Sequence, residues 1–258
     1  MTDTLTHSWF MTVRHLRNLA RQPWWIAITL VQPVIWLLLF GAVFKATADI
    51  PGFQAHSYVD YLTPGIVVMT AAFAGGWAGM GVIEDLNRGV VDRFLVSPVR
   101  RQALIAGRLV QLAIVSLIQS LIVIVLGLLV GARFPGGLAG LGVLVVCSAL
   151  LGASLGALSN GMALLARKEE TVIAASNFVL LPLTFLSSAF MQRDLMPGWI
   201  QTVARYNPVE WTVQAGREAL TAQPDWGLVL TRMGLLAALA VVCAWLATRA
   251  FRTYQRSI

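Results

Sequence analysis

Charge is the scarcest property of this chain: Asp, Glu, Lys and Arg make up 12% of its 258 residues, about half the share usual in a soluble domain. With 57% hydrophobic residues, that scarcity excludes an ordinary water-soluble globule and indicates an integral membrane protein. Cysteine is nearly absent. Cys147 and Cys243 both lie inside apolar runs and read as small packing residues, so no disulfide framework or cysteine metal pair is expected. Histidine is equally rare: His7, His15 and His56 all fall outside the apolar runs, no HExxH pair occurs, and Gly152-Ala153-Ser154 has no intramembrane histidine to activate its serine. No catalytic residue and no metal site are therefore expected, and the chain reads as a non-enzyme. There is no GxxxxGK[ST] loop, which excludes that route to cradling ATP phosphates. The apolar runs contain almost no ionisable residues, which argues against an ion-coupled carrier and for energy supplied from outside the chain. The amino terminus lacks a basic run ahead of a short apolar core, so the first span itself is expected to direct insertion.

What is present is a series of long apolar segments. The sequence predicts an all-α membrane fold in one domain, with six spans at about 24–44, 62–83, 103–130, 138–166, 171–190 and 227–248. Ahead of them, residues Leu5 to Arg21 read as an amphipathic interfacial helix: Leu5, Trp9, Val13, Leu16 and Ala20 share one face, and Arg14, Arg17 and Arg21 another. Gln32-Pro33 interrupts the first span and either lines a path, marks a kink or packs against neighbours. Gly75 and Gly79 in the second span, and Gly152 and Gly156 in the fourth, have the spacing of close helix contacts. The length of the fourth span predicts tilt or a break near Ser159-Asn160-Gly161. Arg133-Phe-Pro-Gly-Gly137 predicts a tight turn, and Arg167-Lys168-Glu169-Glu170 a charged connection.

Between the fifth and sixth spans, Met191 to Arg232 is too charged to cross a membrane. Pro197-Gly198 and Asn207-Pro208 each predict the opening of a short helix, and such half-helices belong at the membrane face or as a re-entrant pair. Six spans put both termini on one side. That side gathers 13 Lys and Arg against 6 on the other, so the positive-inside rule predicts both termini, the loop after the second span and the Arg167 loop to be cytoplasmic, with the half-helices outside. The net charge of +7 is thereby a topology signal: the basic residues fall at the ends of apolar runs, and no nucleic-acid partner is expected.

The loop Glu84 to Arg101, EDLNRGVVDRFLVSPVRR, cannot enter lipid. Val90, Val91, Phe94 and Leu95 form an apolar face, while Glu84, Arg88 and Asp92 form a ladder at i, i+4 and i+8; Ser97-Pro98 would end a helix. A simple connector needs about two to eight residues; this segment is longer and amphipathic, as a docking element would be. Within the spans the polarity is uncharged: Gln111, Ser116, Gln119 and Ser120 recur at helical spacing in the third, with Asn160 in the fourth and Ser176-Asn177 in the fifth. Together with Gln32, the amides Gln111, Gln119, Asn160 and Asn177 are candidates to line a pathway for an amphiphile; interhelical hydrogen bonding is the alternative.

The order of these elements resembles the ABC-2 type transporter permease family, particularly the small six-span permeases of daunorubicin-resistance-type drug and antibiotic exporters. The resemblance rests on Glu84-Asp85, Arg88-Gly89, Arg93-Phe94-Leu95 and Ser97-Pro98-Val99 after the second span. Before the last span it rests on Leu186-Ser187-Ser188, Met196-Pro197-Gly198-Trp199, Tyr206-Asn207-Pro208 and Arg217. Ser188-Ala189 departs from the bulkier residue common there. The resemblance implies a plasma-membrane permease that pairs with a second copy or a paralogue and with two separate ATPase subunits, which would bind ATP and Mg. It implies that Glu84, Asp85, Arg88, Gly89, Asp92, Arg93, Phe94, Ser97 and Pro98 form a cytoplasmic coupling loop, joined at the ATPases by the helix of Trp9, Arg14, Arg17 and Arg21. The implied substrate is an amphipathic drug, antibiotic or lipid-like molecule. A glycolipid or polysaccharide precursor is the alternative within this architecture, and an ion-driven carrier or channel the alternative outside it.

Overall fold

The computed structural model describes residues 23–46, 55, 57–88 and 101–255, and every structured element among them is helical. In chain order these are α1 (Pro23–Val43), α2 (Tyr58–Gly76), α3 (Gly79–Asn87), α4 (Arg101–Val130), α5 (Gly137–Ala166), α6 (Glu169–Phe185), α7 (Gly198–Ala204), α8 (Pro208–Ala219) and α9 (Trp226–Gln255). A short 3₁₀ turn, Arg193–Leu195, precedes α7. Among the described residues, four stretches are long and apolar enough to cross a membrane: Tyr58–Asn87, Ala113–Val130, Gly137–Ala166 and Trp226–Phe251. The chain is a multi-pass, all-α membrane protein. The expected interfacial helix Leu5 to Arg21, with Trp9, Arg14, Arg17 and Arg21, lies outside the described residues, as do Gly89, Asp92, Arg93, Phe94, Ser97 and Pro98 of the expected docking loop.

α2 is the post around which the bundle is built. A helix that is apolar on every face is buried on every face, and residues from Leu62 through Ala72 are buried without exception. It packs against α1, α4, α5, α6 and α8. The largest core cluster joins Leu62, Ile66 and Val67 of α2 to Leu144 and Leu151 of α5, Leu180 of α6, Val209 and Val213 of α8, and Leu236 of α9.

The helices alternate in direction. At one end, the Phe44 ring after α1 lies 5.5 Å from Tyr58 at the start of α2. Arg133 N–H, after α4, donates to Asp60 (2.8 Å), and Gly136 N–H, before α5, donates to the Leu220 carbonyl after α8 (2.8 Å). The tight turn expected at Arg133 to Gly137 is formed between Gly131 and Gly137, which adopt the positive φ values of 106° and 58° that favour glycine. At the opposite end a smaller cluster joins Val82 and Ile83 of α3, Ala163 and Leu164 of α5, Val172 of α6 and Phe251 of α9. Glu84, Arg88, Arg167 and Lys168 therefore share one end of the bundle, the grouping the sequence predicts.

Three elements differ in detail from the sequence expectation. The second span is two helices, α2 and α3, separated at Trp77-Ala78. α5 runs unbroken through Ser159-Asn160-Gly161. The helical part of the fifth span closes at Phe185, and Leu186 to Phe190 continue without helix.

Candidate functional site

Leu186 to Phe190 is a non-helical backbone segment packed inside the bundle, and such a segment is tolerated in a membrane only where protein groups satisfy its peptides. α8 supplies most of those groups. Asn207 caps it in the manner its sequence predicts: Oδ1 accepts from Val209 N–H (2.9 Å). The other side of the same amide donates to the carbonyls of Leu183 (2.6 Å) and Leu186 (3.0 Å). One turn on, Glu210, 1% exposed, accepts from Ser188 N–H (2.5 Å) and from Gln214 Nε2 (2.7 Å).

Arg217 lies two turns beyond Glu210 and therefore on the same face of α8. Its guanidinium is a fork over three carbonyls: Nη1 donates to Ser188 O (2.7 Å), and Nη2 to Ala189 O (3.0 Å) and Tyr61 O (2.9 Å). Cζ stands 3.5 Å from the centroid of the Tyr61 ring, a cation–π contact. The tyrosines of α2 complete the grip, Tyr61 O–H donating to Ser188 O (2.6 Å) and Tyr58 O–H to Phe190 O (3.0 Å). Gly65 lets this loop approach: a Cβ there would run into the Ala189 carbonyl. The result is a polar clamp that ties the end of α6 to α2 and α8, with one buried carboxylate and one partly buried guanidinium on either side of Ser188.

A second arrangement sits further along the same post, where α2 gives way to α3. The Gly75 and Gly79 spacing serves close packing on α5: a Cβ on Gly75 would meet the Gly152 carbonyl, and one on Gly79 would meet Ser159. At the break, Ser159 Oγ accepts from Gly79 N–H (3.0 Å) and donates to Gly76 O (2.5 Å), and Ser176 Oγ donates to the same carbonyl (2.6 Å). Trp77 Nε1 donates to Asn177 Oδ1 (3.3 Å). The polar run Ser159-Asn160-Gly161 thus does not break its own helix, and its Ser159 serves the break in a neighbouring one.

Of the expected docking residues, Glu84 and Asp85 lie on α3 and Arg88 caps its end. The i, i+4 ladder is present as a Glu84–Arg88 ion pair of 2.5 Å, with the two side chains 60% and 67% exposed; an exposed pair of this kind contributes about 0.3–0.5 kcal/mol. Among the expected pathway residues, Gln32 is exposed on α1, Asn177 is half-buried on α6, and Gln119 and Asn160 are buried between helices. Gln111 lies on α4, and its side chain is outside the described part. Asn160 Oδ1 and the hydroxyls of Ser116 and Ser148 are buried without hydrogen-bond partners among the described residues. Gln32, Gln119, Asn160 and Asn177 lie on four different helices, α1, α4, α5 and α6.

The clamp is what the candidate residues omit. Glu210 and Arg217 read in sequence as charges that prevent a span; their seven-residue spacing on one helix face was the available signal.

The model of a family described as "ABC-2 type transporter" matches residues 6–221. The chain is similar to the daunorubicin resistance ABC transporter permease protein DrrB1 of Streptomyces coeruleorubidus, 30% identical over 98% of this chain and 87% of that one. It is similar to the putative transport permease ycf38 of Cyanophora paradoxa, 32% identical over 80% of this chain and 71% of that one. It is also similar to the inner membrane transport permease YadH of Escherichia coli K12, 27% identical over 79% of each.

Proposed function

The chain belongs to the ABC-2 type transporter family, and from that membership we propose that it is the six-span permease subunit of an exporter driven by separate ATPase subunits. The cargo is an amphipathic, drug-like molecule. The relatives whose names record resistance to daunorubicin and doxorubicin support that class of cargo. ATP and Mg belong to the ATPase subunits, and a second permease, identical or paralogous, completes the pathway. All 258 residues act as one transmembrane domain.

The observation that carries this reading is the course of the second span. Its first half is held in the polar clamp through Tyr58 and Tyr61, and its second half runs directly into the charged Glu84–Arg88 end. A push delivered to Glu84, Asp85, Arg88, Gly89, Asp92, Arg93, Phe94, Ser97 and Pro98 by an ATPase reaches the bundle core through α3. The interfacial stretch with Trp9, Arg14, Arg17 and Arg21 is the second ATPase contact.

Six spans are supported by α1 and α6 beside the four longer crossings. α6, with 17 residues, is about 26 Å long, short of a hydrocarbon core of about 30 Å. The clamped Leu186 to Phe190 segment makes up that length, with α7 and α8 as the outer half-helices. The shared end of Glu84, Arg88, Arg167 and Lys168 faces the cytoplasm of a plasma membrane, as do both termini, which the excess of Lys and Arg supports. Among the pathway residues, the exposure of Gln32 and the half-buried position of Asn177 support contact with cargo or partner, Gln119 and Asn160 would join a pathway only on rearrangement, and Gln111 is proposed to line it from α4.

Reconstitution with the cognate ATPases tests the reading. The variant R88E/D92R is expected to keep membrane insertion and lose transport-coupled ATP hydrolysis. Normal coupled transport by that variant, or transport by the chain with no ATPase present, would sink it.

A further inference from the structure

We propose that the Trp77-Ala78 break is a two-state hinge and that the hydroxyl of Ser159 is the positioning group that holds its helical ladder open. In an uninterrupted helix Gly79 N–H would donate to Gly75 O and Met80 N–H to Gly76 O. Here Gly75 O accepts instead from Ala78 N–H (3.0 Å), and Met80 N–H turns to Trp77 O (3.1 Å). Ala74 O gives up its helical donor, that same Ala78 N–H, and Gly79 N–H and Gly76 O are left over. A single hydroxyl joins them, since Ser159 Oγ accepts from the first and donates to the second, and Ser176 Oγ donates to Gly76 O as well. Ser159 thus stands where a helical hydrogen bond would run.

Straightening leaves nothing orphaned. Gly75 O and Gly76 O would regain their helical donors, and the hydroxyls of Ser159 and Ser176 would swing to the carbonyls of Leu155 and Val172 one turn back on their own helices. Serine in a membrane helix makes that bond readily, and Ser154 already makes it to Leu150 O (2.7 Å). The backbone change is small. Trp77 (φ −92°, ψ −1°) and Ala78 (φ −59°, ψ −26°) both lie in or beside the right-handed helical region. Two hydrogen-bond patterns of similar completeness, separated by a rotation of tens of degrees, are what a hinge requires.

The lever is α3, nine residues long and so about 13 Å. A change in bend of about 25° would carry its tip about 6 Å. This movement takes its place in transport from the proposal that Glu84 to Arg101 receives the ATPase stroke, so the experiment separates the two. Nitroxide labels at N87C, at the tip of α3, and T221C, just beyond α8, report the bend in nanodiscs; both native cysteines are buried.

The parent chain is expected to give two distance populations a few ångströms apart, S159A a single population, and S176T the parent pattern, because threonine keeps the donor. S176A, which removes a donor and no acceptor, is expected to shift the ratio less than S159A. One distance population in the parent, unchanged by S159A, would overturn the hinge. In the complex with its ATPases, S159A is expected to lower coupled transport about tenfold with ATP hydrolysis retained. Shifted distances with unchanged transport would overturn the coupling reading and leave the hinge standing.

Discussion

Replacing Arg217 by methionine keeps the length and apolar stem of the side chain and removes the guanidinium. Ala189 O then loses its donor, and Ser188 O keeps only Tyr61 O–H. Tyr61 O retains its place in the helix. The substitution also leaves the buried Glu210 carboxylate without its nearby cation. A hydrogen bond to a charged group is worth about 1.5–3 kcal/mol in soluble proteins, and interhelical polar contacts in membranes average about 0.6 kcal/mol. Two affected carbonyls and one uncompensated carboxylate give about 2–4 kcal/mol. For a chain of this size that corresponds to a fall in Tm of about 5–15 °C. Thermal unfolding of purified protein, followed by size-exclusion chromatography after heating, measures it. R217K keeps the charge but cannot fork over Ser188 and Ala189 together, so its loss should be about half as large. Combined with E210Q, R217M should cost less than the sum of the two single changes, by about 1 kcal/mol, because both act on Ser188. A Tm for R217M within about 2 °C of the parent, or strict additivity with E210Q, would refute the clamp as a connected unit.

Two further expectations are simpler. G65A sets a methyl group against the Ala189 carbonyl and should destabilise by about 1–3 kcal/mol, whereas G142A, with open space around it, should stay within about 0.5 kcal/mol; the same thermal assay compares them. For orientation, cysteines at the exposed positions Thr221 and Lys168 should differ towards a membrane-impermeant maleimide in whole cells, T221C reacting at once and K168C only after permeabilisation. Equal labelling of both without permeabilisation would overturn the assigned sidedness.

How far the sequence could be read depended on whether the determining chemistry was local. Pro197-Gly198 and Asn207-Pro208 marked the two short helices because a cap is written in adjacent residues. Gly75 and Gly79 marked a contact, but not its partner. The break at Trp77-Ala78 was illegible. The hydroxyls bonded to it, Ser159 and Ser176, lie 83 and 100 residues away from Gly76, and no window along the chain contains both halves. The sequence predicts tilt or a break of α5 near Ser159-Asn160-Gly161 for the same reason: a polar residue looks alike whether it breaks its own helix or serves another's. Leu186 to Phe190 read as the end of a span because apolar composition reports burial and not helicity. Arg217 and Glu210 read as obstacles to burial, since a buried charge is acceptable only when its partners are known, and Ser188, Ala189 and Tyr61 become partners only in the fold.

The clamp and the break explain each other mechanically. A helix pushed at one end moves as a whole unless its other end is held, and apolar packing alone allows sliding because its contacts are non-directional. The clamp holds α2 by directional bonds, from Tyr58 and Tyr61 outward and from Arg217 inward. With that end fixed, displacement at Glu84 can be taken up only where the helical ladder is already interrupted, which is Trp77-Ala78. A clamp without a break would make the second span a rigid strut, and a break without a clamp would let α2 slip before α3 could turn. On the proposed coupling, Glu210 and Arg217 of α8 therefore act on a helix they do not belong to, by making α2 a fixed post against which α3 can act as a lever.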